Sequence, residues 1–334
     1  MANTLQSKRV LVTGGAGYIG SFAVYCLKQA GFEVGVIDNL VFGHRYNIEA
    51  LKVPFWQGDV GDKQFVAKII DEFAPASVMH FAAYAYVGES VTNPEKYYNN
   101  NFVAALNLIS VIKDKGIKNF IFSSTCATYG VPKQVPITEE TPQEPINPYG
   151  RTKLNVEKLL SDFEHAYALK SVAFRYFNAS GAHPQGILGE DHNPETHLIP
   201  LTIYSALGGP ELKIFGNDYP TQDGTCIRDY IHVLDIAEAH VLGLKHLLDG
   251  GQSLRLNIGT GIGNSNLEII NAVEKVSGKK VRWSFAPRRD GDPPALIASA
   301  EKLTSLLGWK PKFTEIEATI RTAWEWHRLR HAMK

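Results

Sequence analysis

The run RVLVTGGAGYIG, residues 9–20, limits the possible folds more than any other stretch. RVLVT is short, apolar and β-branched, and Gly14, Gly15, Gly17 and Gly20 follow it as G-G-x-G-x-x-G. Ile19, Phe22, Ala23, Cys26, Leu27 and Ala30 then recur at helical spacing, and Gly31 ends the helix. A strand that turns through glycines into a helix sets unpaired N–H donors and a partial positive charge where a pyrophosphate can sit. Asp38 ends the next strand, 18 residues past Gly20. A carboxylate there accepts bonds from an adenosine ribose and disfavours a 2′-phosphate, so the expected cofactor is NAD rather than NADP. A tight turn without ligand is the competing reading of the glycines alone.

Strand-like and helix-like runs alternate from there. EVGVI (33–37), VPFWQ (53–57), SVMHF (77–81), NFIFSS (119–124) and SVAFRYF (171–177) read as strands, and roughly 62–74, 95–115 and 149–167 as helices. This order predicts an α/β fold, a doubly wound parallel sheet of the Rossmann type. After Phe177 the texture turns rich in Gly, Pro, Asn and His. A helix-like 231–248 and the strand-like RLNIG (255–259) look like a return to the first layer. The expected domains are 1–177 plus about 229–259 for the cofactor, and 178–228 plus about 260–334 as a smaller, discontinuous α/β substrate lobe.

The 334 residues carry 34 basic and 34 acidic side chains, so no net field draws nucleic acid or anionic lipid. A small molecule or another protein is the expected partner. Cys26, Cys126 and Cys226 form no CxxC pair, which argues against a disulfide framework or a structural zinc site and fits a reducing cytoplasm. The stretch MANTLQSKRV lacks a signal peptide's apolar run, and no segment reaches membrane-spanning length.

Chemistry enters at NPYGRTK, residues 147–153. Asn147 is a good cap and Pro148 suits a first helical turn, so Tyr149 and Lys153 lie one turn apart on one face. Beside NAD, such a pair suits hydride transfer at a hydroxyl-bearing carbon. A phenol with pKa about 10 is a poor base at neutral pH, and Lys153 with the nicotinamide's charge would lower that value. The plain alternative is an exposed tyrosine with Lys153 paired to Glu157. Ser123, Ser124 and Thr125 end a strand at the ligand-bearing edge, where a hydroxyl can bond the reacting oxygen or merely cap the strand. Cys126 has no histidine near it in sequence and reads as a packing residue.

TGGAGYIG, DNL, FAAYAYVGES, SSTCATYG, NPYGRTK, RYFNASGAHP, GEDHNPETHLIP, KIFGNDYPTQDGTCIRDYIHV, LNIGTG and APRRDGDPPA stand in one register. With them the chain resembles the extended short-chain dehydrogenase/reductase family from end to end, and within it the UDP-hexose 4-epimerases. The resemblance implies reversible inversion at carbon 4 of UDP-glucose and UDP-galactose through a 4-keto sugar, with tightly held NAD. It implies Tyr149 as acid and base, Lys153 as its tuner and as a holder of the nicotinamide ribose, and Thr125 as helper hydroxyl. Gly14, Gly17, Tyr18, Ile19, Gly20, Asp38, Asn39, Asp59, Val60, Phe81, Ala82, Ala83, Asn100 and Phe177 would line the cofactor. Asn178, His197, Leu198, Lys213, Phe215, Arg228, Arg289, Asp292 and Leu296 would meet the UDP-sugar, with Phe177 against its ring. A guanidinium fork matches phosphate oxygens, which gives Arg228 and Arg289 an independent reason to clamp the diphosphate. A homodimer through 95–115 and 149–167 is also implied.

Thr125 stands where many members carry Ser, and Ala85 where some carry a cofactor-side lysine. Leu296 is intermediate between a tyrosine that closes the sugar pocket and smaller residues that admit an N-acetyl group, which leaves UDP-GlcNAc/UDP-GalNAc, and UDP-pentoses, as alternative substrates. Dehydratases place an acidic pair after the helper Thr, whereas here Cys126 and Ala127 follow it. A non-catalytic NAD-binding regulator would lose the tyrosine or the lysine, and this chain keeps both. The HNPETH stretch (192–197) is read as substrate contact and scaffold, with no metal expected.

Overall fold

A computed structural model describes residues 8–289 and 292–332. Asp290 and Gly291 of APRRDGDPPA, and most of the N-terminal stretch searched for a leader, lie outside the described residues. The first six strands are β1 (Arg9–Thr13), β2 (Glu33–Asp38), β3 (Phe55–Gln57), β4 (Ser77–His80), β5 (Asn119–Thr125) and β6 (Lys170–Tyr176). Seven more follow: β7 (Asn178–Ser180), β8 (Leu212–Phe215), β9 (Ile227–His232), β10 (Leu254–Ile258), β11 (Gly263–Ser265), β12 (Trp283–Ala286) and β13 (Ala295–Leu296).

Seven of these make one parallel sheet in the order β10-β6-β5-β4-β1-β2-β3. Its strands are continuous apolar runs because helices cover both faces. Val10, Val12, Val36 and Phe174 pack on one side with the Tyr18–Gln29 and Val233–Leu248 helices. Leu11, Ile37, Val78 and Phe120 pack on the other with Lys63–Phe73, Ala104–Asp114 and Pro148–Tyr167. The chain starts in the middle and winds outward both ways, so the strand order reverses between β1 and β4. Ligands settle in the crevice at such a reversal, beyond the strands' carboxyl ends.

Beyond β6 the chain builds a second layer. β7, β11 and β13 all pair with β9, and β12 pairs with β8. Helices Leu198–Ala206, Asn266–Ser277 and Ile316–Ala332 share a separate apolar core around Ile203, Ile269 and Ile320.

Three elements differ from the sequence reading. The helix expected over 95–115 is broken: Pro94–Tyr97 and Ala104–Asp114 flank a π-helical turn at Tyr98–Val103. Its Asn run favours local side-chain bonding over regular helix. Asn101 accepts from Tyr84 N at 2.8 Å and donates to Tyr84 O at 2.9 Å. The strand over 53–57 shortens to Phe55–Gln57, since Pro54 has no N–H to give a ladder. Ile231 and His232 belong to β9, and the helix starts at Val233 because the His232 ring accepts from Leu234 N at 3.1 Å as its cap.

Candidate active site

The glycine turn fits a dinucleotide. Gly14 has φ +75°, and a Cβ there would strike Ala82 N at 2.5 Å. A Cβ on Gly20 would meet Gly14 O at 2.1 Å. A Cβ on Gly17 would meet only Gly14 O, at 3.4 Å, and as the cap of the Tyr18–Gln29 helix Gly17 offers no side chain, so the first-turn N–H groups of Tyr18 and Ile19 stay available to an anion. Thr13 O accepts from Phe81 N (2.8 Å) and Ala82 N (3.2 Å), which binds the Phe81–Ala83 segment to the turn. The buried Thr13 hydroxyl and His80 Nδ1 lie 2.6 Å apart beneath it.

Asp38 is buried at the end of β2, and its oxygens accept from Ala16 N (3.0 Å) and Leu40 N (2.8 Å). Burial raises its pKa while those two N–H groups pull it down. Each oxygen keeps a lone pair for a ribose hydroxyl. Asn39 and Asp59 are exposed at the same edge, Val60 is buried beneath Asp59, and Asn100 sits in the π-helical turn.

Asn147 caps the Pro148–Tyr167 helix through its Oδ1 and Gly150 N, 2.8 Å apart. Tyr149 is 9% exposed, and the Lys153 Nζ donates to Ser123 O at 2.7 Å. The simple Lys153–Glu157 pair does not form. Glu157 is instead gripped by Arg175 (Nη2–Oε2 2.6 Å) and by the Ser124 hydroxyl, all buried. Arg175 also donates to the Tyr129 hydroxyl at 2.8 Å, which donates to Asn257 at 2.7 Å. This network ties the helix bearing Tyr149 to β6 and β10. Arg175→Met leaves a buried carboxylate unpaired, and the expected loss is about 3–5 kcal/mol of stability, read as a lower urea midpoint.

The phenol differs from expectation in the protein alone. Burial pushes Tyr149 up to about 12, and the neighbouring Thr125 hydroxyl only partly offsets this. Burial also lowers Lys153 to about 7, and its ammonium is aimed at a carbonyl rather than at the phenol. The lowering expected of Lys153 is therefore missing here, and the positive nicotinamide remains the charge able to supply it.

Some of the residues expected to meet the substrate lie near Tyr149. Phe177, Tyr129, Ile137 and Ala298 form a small apolar cluster against which Cys126 and Leu296 pack. Cys126 lies within charge range of both Tyr149 and Arg228. Arg228 is buried in β9, salt-bridged to Asp292 and in register with Leu296 of β13. Arg289 stacks its guanidinium 3.9 Å above the Phe215 ring. Lys213 stands apart, exposed and paired with Glu211 (2.6 Å) and Ser284 (2.7 Å). Asn178 begins β7, and Leu198 begins the helix that His197 caps by position. The His197 ring turns instead toward Glu190 and Glu195, 2.9 Å from each. Sequence reasoning missed the Glu157–Arg175 pair, whose partners lie 18 residues apart with no local signal.

A glycine cradle for a dinucleotide, beside a buried tyrosine and lysine and an arginine-lined lobe, defines a nucleotide-linked redox enzyme of the Rossmann class. Residues 10–259 match the model of the NAD dependent epimerase/dehydratase family, and the chain belongs to that family. It is 49% identical to a UDP-glucose 4-epimerase of Lacticaseibacillus casei over 319 residues, 95% of this chain and 96% of the other. It is similar to a crystal structure of UDP-glucose 4-epimerase from Brucella ovis in complex with NAD. The TM-score is 0.92 at 47% identity, over 95% of this chain and 98% of that one. A UDP-Glc/GlcNAc 4-epimerase from Campylobacter jejuni is also similar, with TM-score 0.85 at 41% identity, over 96% and 99% of the two chains. The protein is thus an NAD-dependent epimerase. No helix among the described residues is long and apolar enough to cross a membrane.

Proposed function

We infer that the chain interconverts UDP-glucose and UDP-galactose by inverting carbon 4 through a 4-keto sugar. The observation that carries this reading is the buried Tyr149–Lys153 pair, with Arg228 and Arg289 on the second lobe, in a chain nearly half identical to UDP-glucose 4-epimerases along its length. Bound NAD supplies the two-electron acceptor for carbon 4 and returns the electrons within the same turnover.

Tyr149 takes the proton of the 4-hydroxyl and later gives it back, with the Thr125 hydroxyl beside it to bond the reacting oxygen. Lys153, positioned by its bond to Ser123 O, holds the cofactor's ribose. Arg228 and Arg289 grip the diphosphate, Phe215 lies against the uracil, and Asp292 bonds the uridine ribose. The lobe of residues 178–228 and about 260–334 thus anchors the nucleotide, while Phe177 and Leu296 give the sugar a smooth apolar wall. Binding energy spent far from carbon 4 fixes distance without fixing which face is presented, so the keto sugar can turn over between the two half-reactions.

The test is conversion of UDP-galactose to UDP-glucose by purified protein with no NAD added. Turnover under those conditions is expected. Turnover that requires stoichiometric added NAD, with NADH accumulating, would replace this reading with that of a dehydrogenase.

A further inference from the structure

One loop brings four ligand-bearing side chains together: Glu190, His192, Glu195 and His197, with one ligand atom from each within 4.8 Å of all the others. Glu190 Oε1 lies 2.9 Å from His197 Nδ1 and 3.2 Å from His192 Nδ1. Glu195 Oε2 lies 3.7 Å from His192 Nδ1. Both glutamate side chains are only 5% exposed. Glu195 Oε1 is occupied by the backbone N–H groups of Thr196 (2.7 Å) and His197 (2.8 Å). Its other oxygen, Oε2, is shut off from solvent and makes no hydrogen bond, and His192 Nδ1, equally shut off, is within 3.2 Å of Glu190 Oε1 but not aligned to bond it. Buried polar atoms left in that state call for a partner. Four N and O ligands held about 2.0–2.2 Å from a tetrahedral cation stand roughly 3.4 Å apart, and the observed separations bracket that spacing.

We propose that Glu190, His192, Glu195 and His197 bind one divalent cation of the zinc class in a tetrahedral two-histidine, two-carboxylate site. Imidazole and carboxylate donors suit such an ion. The site is structural, since all four positions are filled by protein. Its surroundings say what it would hold together. The His192 ring packs edge-on to Tyr18 of the cofactor helix, with ring centres 6.0 Å apart. Trp326 of the Ile316–Ala332 helix donates to Glu190 O at 2.9 Å. His197 stands at the start of the Leu198–Ala206 helix. The cation would therefore staple the loop where cofactor helix, substrate lobe and C-terminal helix meet.

The competing state holds protons in place of the metal. In that state the rings face the carboxylates directly, with His197 Nδ1 2.9 Å from both Glu190 and Glu195 and His192 Nδ1 3.2 Å from Glu190. A metal must displace any proton carried by its ligand nitrogens, which separates the two states.

NAD-loaded protein is dialysed against a chelator and titrated with Co²⁺, then with Zn²⁺. The expected result is one equivalent of Co²⁺ with the visible bands of a tetrahedral ion, bleached by Zn²⁺. Calorimetry in buffers of different ionisation enthalpy should show proton release. His192→Ala and the conservative Glu195→Gln should each weaken binding at least about tenfold, while His246→Ala, on a half-buried ring elsewhere, should not. The absence of stoichiometric binding by the unaltered protein would overturn the proposal, as would an octahedral spectrum or affinity unchanged in both variants. These readouts use no substrate, so their failure is distinct from failure of the epimerase reading.

Discussion

Tyr149→Phe is expected to lower kcat by about three orders of magnitude and to leave UDP affinity unchanged. The substitution removes one oxygen and keeps the buried ring, so packing in the pocket survives. No neighbour can take over. The Thr125 hydroxyl is a poor base, and the Lys153 ammonium is committed to Ser123 O at 2.7 Å. A thousandfold loss corresponds to about 4 kcal/mol of transition-state stabilisation. Steady-state kinetics with UDP-galactose, alongside calorimetric UDP binding, check both halves. A variant within about tenfold of the unaltered kcat would move the proton to another group and remove Tyr149 from its role.

Arg228→Met should weaken UDP binding by roughly 30-fold to a few thousandfold, the equivalent of about 2–5 kcal/mol. Arg228 is a buried cation whose nearest charged partner is Asp292. Removing it deletes the proposed diphosphate contact and also strands that carboxylate beside the phosphates. Arg228→Lys should recover little, because an ammonium cannot reproduce the two-pronged fork. Calorimetry with UDP reads the effect without turnover. An unchanged dissociation constant would take Arg228 out of the anchor.

Much of the cofactor half was legible because its signals are local. Gly14 through Gly20 encode a turn, Asp38 ends a strand at a fixed distance, and Asn147-Pro148 announces a helix start. Each is a short-range steric or capping rule that needs no knowledge of the rest of the chain. The substrate half resisted such reading. β9 was hidden because its Arg228 and Asp229 are buried charges that break the apolar pattern of a strand. Asp229 is satisfied by the distant Thr260, Gly261 and Ala298 N–H groups and by the Thr260 hydroxyl. β13 is two residues long, below any periodicity. The π-helical turn arises from a contact between Asn101 and Tyr84, 17 residues apart. The histidine–glutamate quartet was visible as composition but not as a cluster, since only the folded loop turns its four side chains inward.

The pairing of Leu296 with Arg228 across two parallel strands has a consequence for how this pocket can evolve. The residue proposed to shape room for the hexose and the residue proposed to tether the pyrophosphate are partners in a single ladder. A backbone shift at one is passed to the other through the ladder they share. Selectivity and grip are therefore mechanically linked, and swapping the sugar wall alone should disturb the tether as well. A change of preferred sugar in this lineage would need compensating changes around Arg228, not a lone exchange at Leu296.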